Sequence, residues 1–177
     1  MKKTHFIFLL FFSQNIFSQD LSQKVLQEYE DTLSILAHTI MYGENETIRL
    51  QANKGFISEL LEVLKYKNSY SYPFDSLKSI SILQPDDHSF RLFNWIIRKD
   101  DGGIKYQAYI VLPSIQKKKN LIIQIQENSN SHLDFENQIF NQDNWYGALY
   151  YKIISPKKKN NKYYTLLGWD GNSKNSV

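Results

Sequence analysis

The spacing of apolar residues changes once along this chain, near Asn68, and that change sets what the chain can fold into. From Asp20 the positions Leu21, Val25, Tyr29, Leu33, Leu36 and Ile40 recur at helical spacing, the stripe of an amphipathic helix. Asp20 with Gln23 has the form of a capping box, and Gly43 stands where that helix stops. Asn45 then heads a second stripe, Ile48, Ala52, Phe56, Leu60 and Leu64, which runs to about Tyr66. So short a link makes the two helices antiparallel. Residues 69–74 read as a linker. From Ile80 onward short β-rich runs alternate with polar turns, which predicts strands over 80–83, 90–98, 105–112, 121–126, 145–154 and 163–169. Asp100-Asp101-Gly102-Gly103 supplies the positive-φ residues of a tight hairpin, Pro113 ends the next strand, and 157–161 forms another polar tip.

In the third run Tyr106, Ala108, Ile110 and Leu112 share a face, and in the fourth Leu121, Ile123 and Ile125 do, so one face of the sheet is expected to be buried. The helix pair is its expected cover, since each layer has one apolar side that needs a partner. The result is one α+β domain over residues 20–177, with helices in 20–66 and the β-rich part in 80–170. In it an antiparallel helix pair packs on a mostly antiparallel β-meander of about five to six strands. The competing architecture is a β-sandwich or partly closed barrel with the helices at one end.

The first nineteen residues stand outside that domain. Met1-Lys2-Lys3 gives a positive start, residues 6–12 are seven apolar side chains in a row, and residues 13–19 are short and mostly polar, the form of a cleaved signal peptide. The run is too short for a bilayer span, Ser18 is the small residue that best suits a cut, and no later run approaches membrane length. The mature chain is thus expected to be exported, periplasmic or extracellular, with no transmembrane anchor after processing. Taking Lys2 and Lys3 from the 21 basic residues leaves 19 against 18 acidic ones, so the formal charge falls from +3 to +1. Arg occurs only at 49, 91 and 98. Such a balance speaks against nucleic acid as a partner. The absence of cysteine excludes disulfides, thiolate metal sites, iron–sulfur clusters, a lipid-anchoring cysteine and a catalytic thiol.

Residues 71–74 (Ser-Tyr-Pro-Phe), 90–95 (Phe-Arg-Leu-Phe-Asn-Trp), 145–151 (Trp-Tyr-Gly-Ala-Leu-Tyr-Tyr) and 163–172 (Tyr-Tyr-Thr-Leu-Leu-Gly-Trp-Asp-Gly-Asn) are similar to segments of a family of exported hypothetical proteins from Gram-negative bacteria. The resemblance spans most of the mature chain. It implies export and brings no activity, cofactor or catalytic residue. Relatives of that kind continue past the Trp-Asp-Gly-Asn segment, which leaves room for a missing C-terminal strand or two.

Nucleophile elbows, phosphate-binding loops, zincin helices, dinucleotide fingerprints and EF-hand loops are absent from the sequence. No catalytic residue, metal ligand or cofactor is assigned. His38, His88 and His132 are isolated, and Asp86, Asp87 and His88 after Pro85 read as turn chemistry before they read as a metal site. An up-and-down meander places Lys117, Lys118 and Lys119 at the same end as Lys157, Lys158 and Lys159, where they would contact an anionic surface or simply keep the hairpin tips soluble. Asp100, Asp101, Asp134, Glu136, Asp143 and Asp170 gather at the other end, as a weak Ca²⁺ or cationic-ligand site or as solvated charge.

The ligand-binding candidates are Trp145, Tyr146, Tyr150 and Tyr164. Together with Trp95 and Trp169 they form either a stacking platform or core filler, and open rings on one patch would distinguish the two. The Asn-rich stretch 128–144 is long for a strand connection and is where a ligand loop would sit. The expected function is that of a non-catalytic domain that binds a ligand or a cell-envelope partner. The alternatives are a cell-envelope hydrolase drawing on Asp134, Glu136 and Asp170, and a fragment with no independent role.

Overall fold

The computed structural model describes residues 20–114, 119–128, 139–156 and 163–171. Helix α1 spans Gln23–Tyr42 and α2 spans Glu46–Leu64. Asn45 caps α2 through its side chain on the Ile48 amide at 3.0 Å, as its position in the sequence predicts. The cap of α1 is Ser22, whose Oγ accepts from the Val25 amide, and not Asp20. Leu21 is held elsewhere, exchanging its N–H and C=O with the side chain of Asn68. The buried line of α1 is Leu26, Glu30, Leu33, Ala37 and Ile40, rotated by about one residue from the stripe read in the sequence. Glu30 is on that line because Tyr72 donates its hydroxyl to one carboxylate oxygen and Ser76 its amide to the other, both at 2.5 Å.

The stretch 69–74, expected to be a linker, is part of the core. Tyr72, Phe74, Leu77 and Ile80 are all buried. The ring of Phe74 meets Tyr72 and Phe93 edge-on, and its backbone is in the left-handed region at φ 57°. A bulky residue adopts that conformation only where packing overrides the strain.

Four antiparallel strands follow in the order β1 (Ser81–Leu83), β2 (Arg91–Arg98), β3 (Ile104–Leu112) and β4 (Leu121–Ile125). Strands β5 (Leu149–Ile154) and β6 (Thr165–Trp169) form a separate antiparallel hairpin. The fold is α+β, and among the described residues there is a four-stranded meander in place of five or six and no closed barrel. Its sheet is buried on both faces. Phe93, Trp95, Ile97, Tyr109 and Val111 pack with α1 and α2. Leu92, Ile96, Tyr106, Ala108 and Ile110 lie under the β5–β6 layer. The face of Tyr106 and Ala108 is therefore covered by the hairpin and not by the helices. The run Leu92-Phe93-Asn94-Trp95-Ile96-Ile97 is apolar on both alternations apart from Asn94, the composition of a strand with two covered faces.

Asn94 joins the two sheets. It is fully buried, its Nδ2 donates to the Ser81 carbonyl at 3.2 Å, and its Oδ1 accepts from the Tyr150 amide at 2.7 Å. Ser81 Oγ donates to the Tyr150 carbonyl at 2.7 Å. Both backbone polar groups of Tyr150 are thus satisfied by side chains of the larger sheet, which fixes where the hairpin sits.

Candidate functional site

The hairpin has an inner and an outer face, set by register. Ile153 pairs with Leu166 and Tyr150 with Gly168, and these positions face the larger sheet. Lys152 pairs with Leu167 and Ile154 with Thr165, which face away, whereas Leu149, the partner of Trp169, packs against the inner cluster. The register slips between Tyr150 and Lys152, leaving Tyr151 as the extra, outward residue of a bulge.

The inner face ends in a cluster of tyrosines and carboxylates. Trp145 is buried and gives its indole N–H to the Tyr150 hydroxyl at 2.8 Å. Tyr106 donates its hydroxyl to Asp170 Oδ1 at 3.0 Å and accepts from the Gly171 amide at 2.7 Å, while the Tyr146 hydroxyl donates to Asp170 Oδ2. Glu127 accepts from the Tyr106 amide at 2.9 Å, standing in for a strand partner beyond the end of β4. Gly147, at φ 88°, lets the chain pass between these groups: a Cβ there would lie 2.8 Å from the Tyr106 ring and 3.0 Å from Glu127 Oε1.

The electrostatics follow from this packing. Hydrogen bonding to Asp170, with burial, pushes the Tyr146 phenol up to about 12. Burial raises Tyr106 and Tyr150 as well, so all three phenols stay protonated at neutral pH. Burial also lifts Glu127 above its ordinary 4.5, against the opposing pull of the Tyr106 amide, Lys105 and Lys99. Between those two values the folded state binds more protons than the unfolded chain, so this group's contribution to stability is best below 4.5 and falls as pH rises through the raised value. Glu127→Gln keeps an acceptor for the Tyr106 amide and removes the charge. Its stability relative to wild type should therefore improve steadily with pH across that interval in urea titrations, and a gap independent of pH would contradict the assignment.

Of the four residues expected to bind ligand, Trp145, Tyr146 and Tyr150 come together here, and Tyr164 does not. Tyr164 lies at the other end of the hairpin, with its hydroxyl on Asp87 at 2.6 Å and Ser89 at 2.9 Å and its ring edge-on to Phe90. That bond holds the Asp87 carboxyl below the usual range. Asp87 also accepts from the Ser89 amide, and His88 sits in the turn at φ 53°. Among the described residues no group of three or more His, Asp and Glu is gathered as a metal site. His38 is exposed with its ring against Tyr42, and His132 lies outside the described residues.

The open rings are Trp169, named with the platform from the sequence, and Tyr151 and Tyr163, the sequence neighbours of the expected Tyr150 and Tyr164. Tyr151 is 62% exposed, Tyr163 82% and Trp169 45%, against 5% for Trp145. Sequence reasoning missed Tyr151 and Tyr163 because neighbouring positions of a strand face opposite ways, and only the bulge at Tyr151 and the inward anchoring of Tyr150 and Tyr164 decide which ring is which.

Of the lysines, Lys119 is exposed at the end of the sheet where β3 passes to β4, and Ser155, bonded to the Asp86 amide at 3.0 Å, leads β5 out at the same end. Lys117, Lys118, Lys157, Lys158 and Lys159 lie outside the described residues, as do Asp134 and Glu136. At the opposite end Asp100 is not free charge. It binds Arg49 at 2.5 Å and the Glu46 amide at 2.9 Å, tying the β2–β3 turn to the start of α2. No helix among the described residues is long and apolar enough to cross a membrane.

No family model, curated protein or solved structure matches the chain.

Proposed function

We propose that this is an exported, non-catalytic domain that binds a cell-envelope polysaccharide across the outer face of the β5–β6 hairpin. The observation that carries this reading is the exposure of Tyr151, Tyr163 and Trp169 on one ribbon. Such rings stack on the apolar faces of sugar rings while their polar atoms stay hydrated. Lys152 and Thr165, on the same outward alternation, supply polar contacts beside them. The inner cluster then has a supporting role: Trp145, Tyr146, Tyr106 and Asp170 fix the ribbon so that the outer rings are ordered before a ligand arrives. Export is supported by the lysine start and apolar run of residues 1–12, and by the resemblance to exported hypothetical proteins.

Pull-down on purified peptidoglycan tests the reading. Trp169→Ala and Tyr151→Ala should each weaken retention about tenfold, whereas replacing Lys117, Lys118, Lys119, Lys157, Lys158 and Lys159 by Gln should leave it unchanged in salt. Retention that survives the double ring variant removes the stacking surface. Loss on the Lys→Gln change transfers the site to an anionic-surface contact. Release of soluble fragments during incubation favours the hydrolase alternative, in which Asp170, already holding two phenols, acts with carboxylates of the same end.

A further inference from the structure

The edge of β4 is a second surface, independent of the rings on the hairpin. β4 closes the order β1-β2-β3-β4, and among the described residues no strand pairs with its outer edge over Leu121–Ile125. Just beyond, that edge is taken. Gln126 donates to the Gln142 carbonyl at 2.6 Å, Trp145 to the Gln126 carbonyl at 2.7 Å and Asn128 to the Trp145 carbonyl at 2.7 Å. What remains is a five-residue slot, closed at one end by residues 142–145.

Edges of this kind are normally blunted by a proline, a bulge or a charge on the strand. Leu-Ile-Ile-Gln-Ile has none, its register with β3 is unbroken from Leu112↔Leu121 to Ala108↔Ile125, and Leu121 is 58% exposed.

We propose that β4 pairs with β4 of a second copy, antiparallel about a two-fold axis at Ile123, to make one continuous eight-stranded sheet from two four-stranded ones. This register is self-complementary. It sets the exposed Leu121 of each copy opposite Ile125 of the other, on the face turned toward the hairpin layer, and brings no like charges together along the strand. It also carries the exposed Lys119 of each copy toward the turn that bears the exposed Asp143 of the other, a complementary charge at each end of the slot. The charge match and the symmetry favour a second copy over an unrelated extended peptide.

Five residue pairs make a small interface, so the dimer should be weak, with a dissociation constant on the order of 10–100 µM. Sedimentation velocity on the purified protein over that range tests it. The wild type should dimerise with concentration, Leu121→Lys should stay monomeric, Lys119→Glu should weaken association about tenfold, and Lys119→Glu with Asp143→Lys should restore it. Thermal melts of the four proteins at concentrations well below that range, where all are monomeric, should coincide, because Leu121, Lys119 and Asp143 are all exposed. A wild type that stays monomeric throughout, or a dimer indifferent both to Leu121→Lys and to the charge exchange, overturns the proposal.

Discussion

Arg91→Ala is expected to destabilise the protein by about 3–5 kcal/mol, a large share of what a domain of this size has in reserve. Arg91 is buried at the start of β2, and no ion pair to it is found among the described residues. Its charge is met by backbone carbonyls instead. Nη1 donates to Tyr70 at 2.8 Å, to Tyr72 at 2.7 Å and, more weakly, to Ser69 at 3.4 Å, and Nη2 donates to Pro73 at 3.4 Å. The rings of Phe93 and Phe74 flank the guanidinium at 5.0 and 5.6 Å. Burial draws its pKa down to about 10, which leaves it charged at neutral pH.

Removing the side chain strands a turn of carbonyls away from water and releases the left-handed backbone at Phe74 from its packing. Arg91→Lys keeps the charge and loses the planar fork, and should recover only part of the loss. Urea unfolding followed by tryptophan fluorescence gives the midpoints. A shift worth less than about 1 kcal/mol for Arg91→Ala would mean that the carbonyls find other donors.

Trp95→Ala should cost a similar amount, about 3–5 kcal/mol, by opening a cavity on the helix side of β2. Trp95 is 1% exposed, stacked on Tyr109 at 5.8 Å and edge-on to Phe56 at 4.9 Å, and its indole N–H is given to Asn53 Oδ1 at 2.8 Å inside the core. Trp95→Phe separates the two contributions, because it keeps much of the volume and leaves Asn53 buried without that donor, a loss of about 1–3 kcal/mol. In the double variant Trp95→Phe, Asn53→Leu much of that loss should return, since an apolar pair replaces a half-made hydrogen bond. Additive losses in the double-mutant cycle would show that the Trp95–Asn53 bond does not couple the two sites.

These two residues also mark where sequence reasoning ends. Asn53 falls beside the read stripe of α2, and Arg91 opens an apolar run. Each looks like a polar residue at the margin of its element, yet both are among the most constrained side chains in the core. Three of the aromatic ligand candidates, Trp145, Tyr146 and Tyr150, meet on the inner side of the hairpin and Tyr164 lies at its other end, for a related reason. The hairpin itself was legible from its alternating runs and its lysine tip. The inner and outer assignment of Tyr150 and Tyr151, or of Tyr163 and Tyr164, was not, because it rests on a bulge and on hydrogen bonds with Ser81, Asn94 and Asp87, which lie far away in the chain. Glu127 carried no signal at all, as a single acid after a strand.

What the sequence by itself determined is the succession of elements: two helices, the second with its Asn45 cap, then six strands within a few residues of their observed bounds. Backbone propensity, caps and apolar period are local, and they act over spans that the chain displays directly. Only the tertiary structure decided which face of each strand is covered and by what, why Glu30, Arg91 and Asn94 are buried, and which rings remain open. Those outcomes depend on partners forty or more residues apart in several cases, such as Asn94 with Tyr150 and Asn53 with Trp95. With a side-chain period of two, a one-residue displacement exchanges core for surface, and no local pattern records which of the two the packing selects.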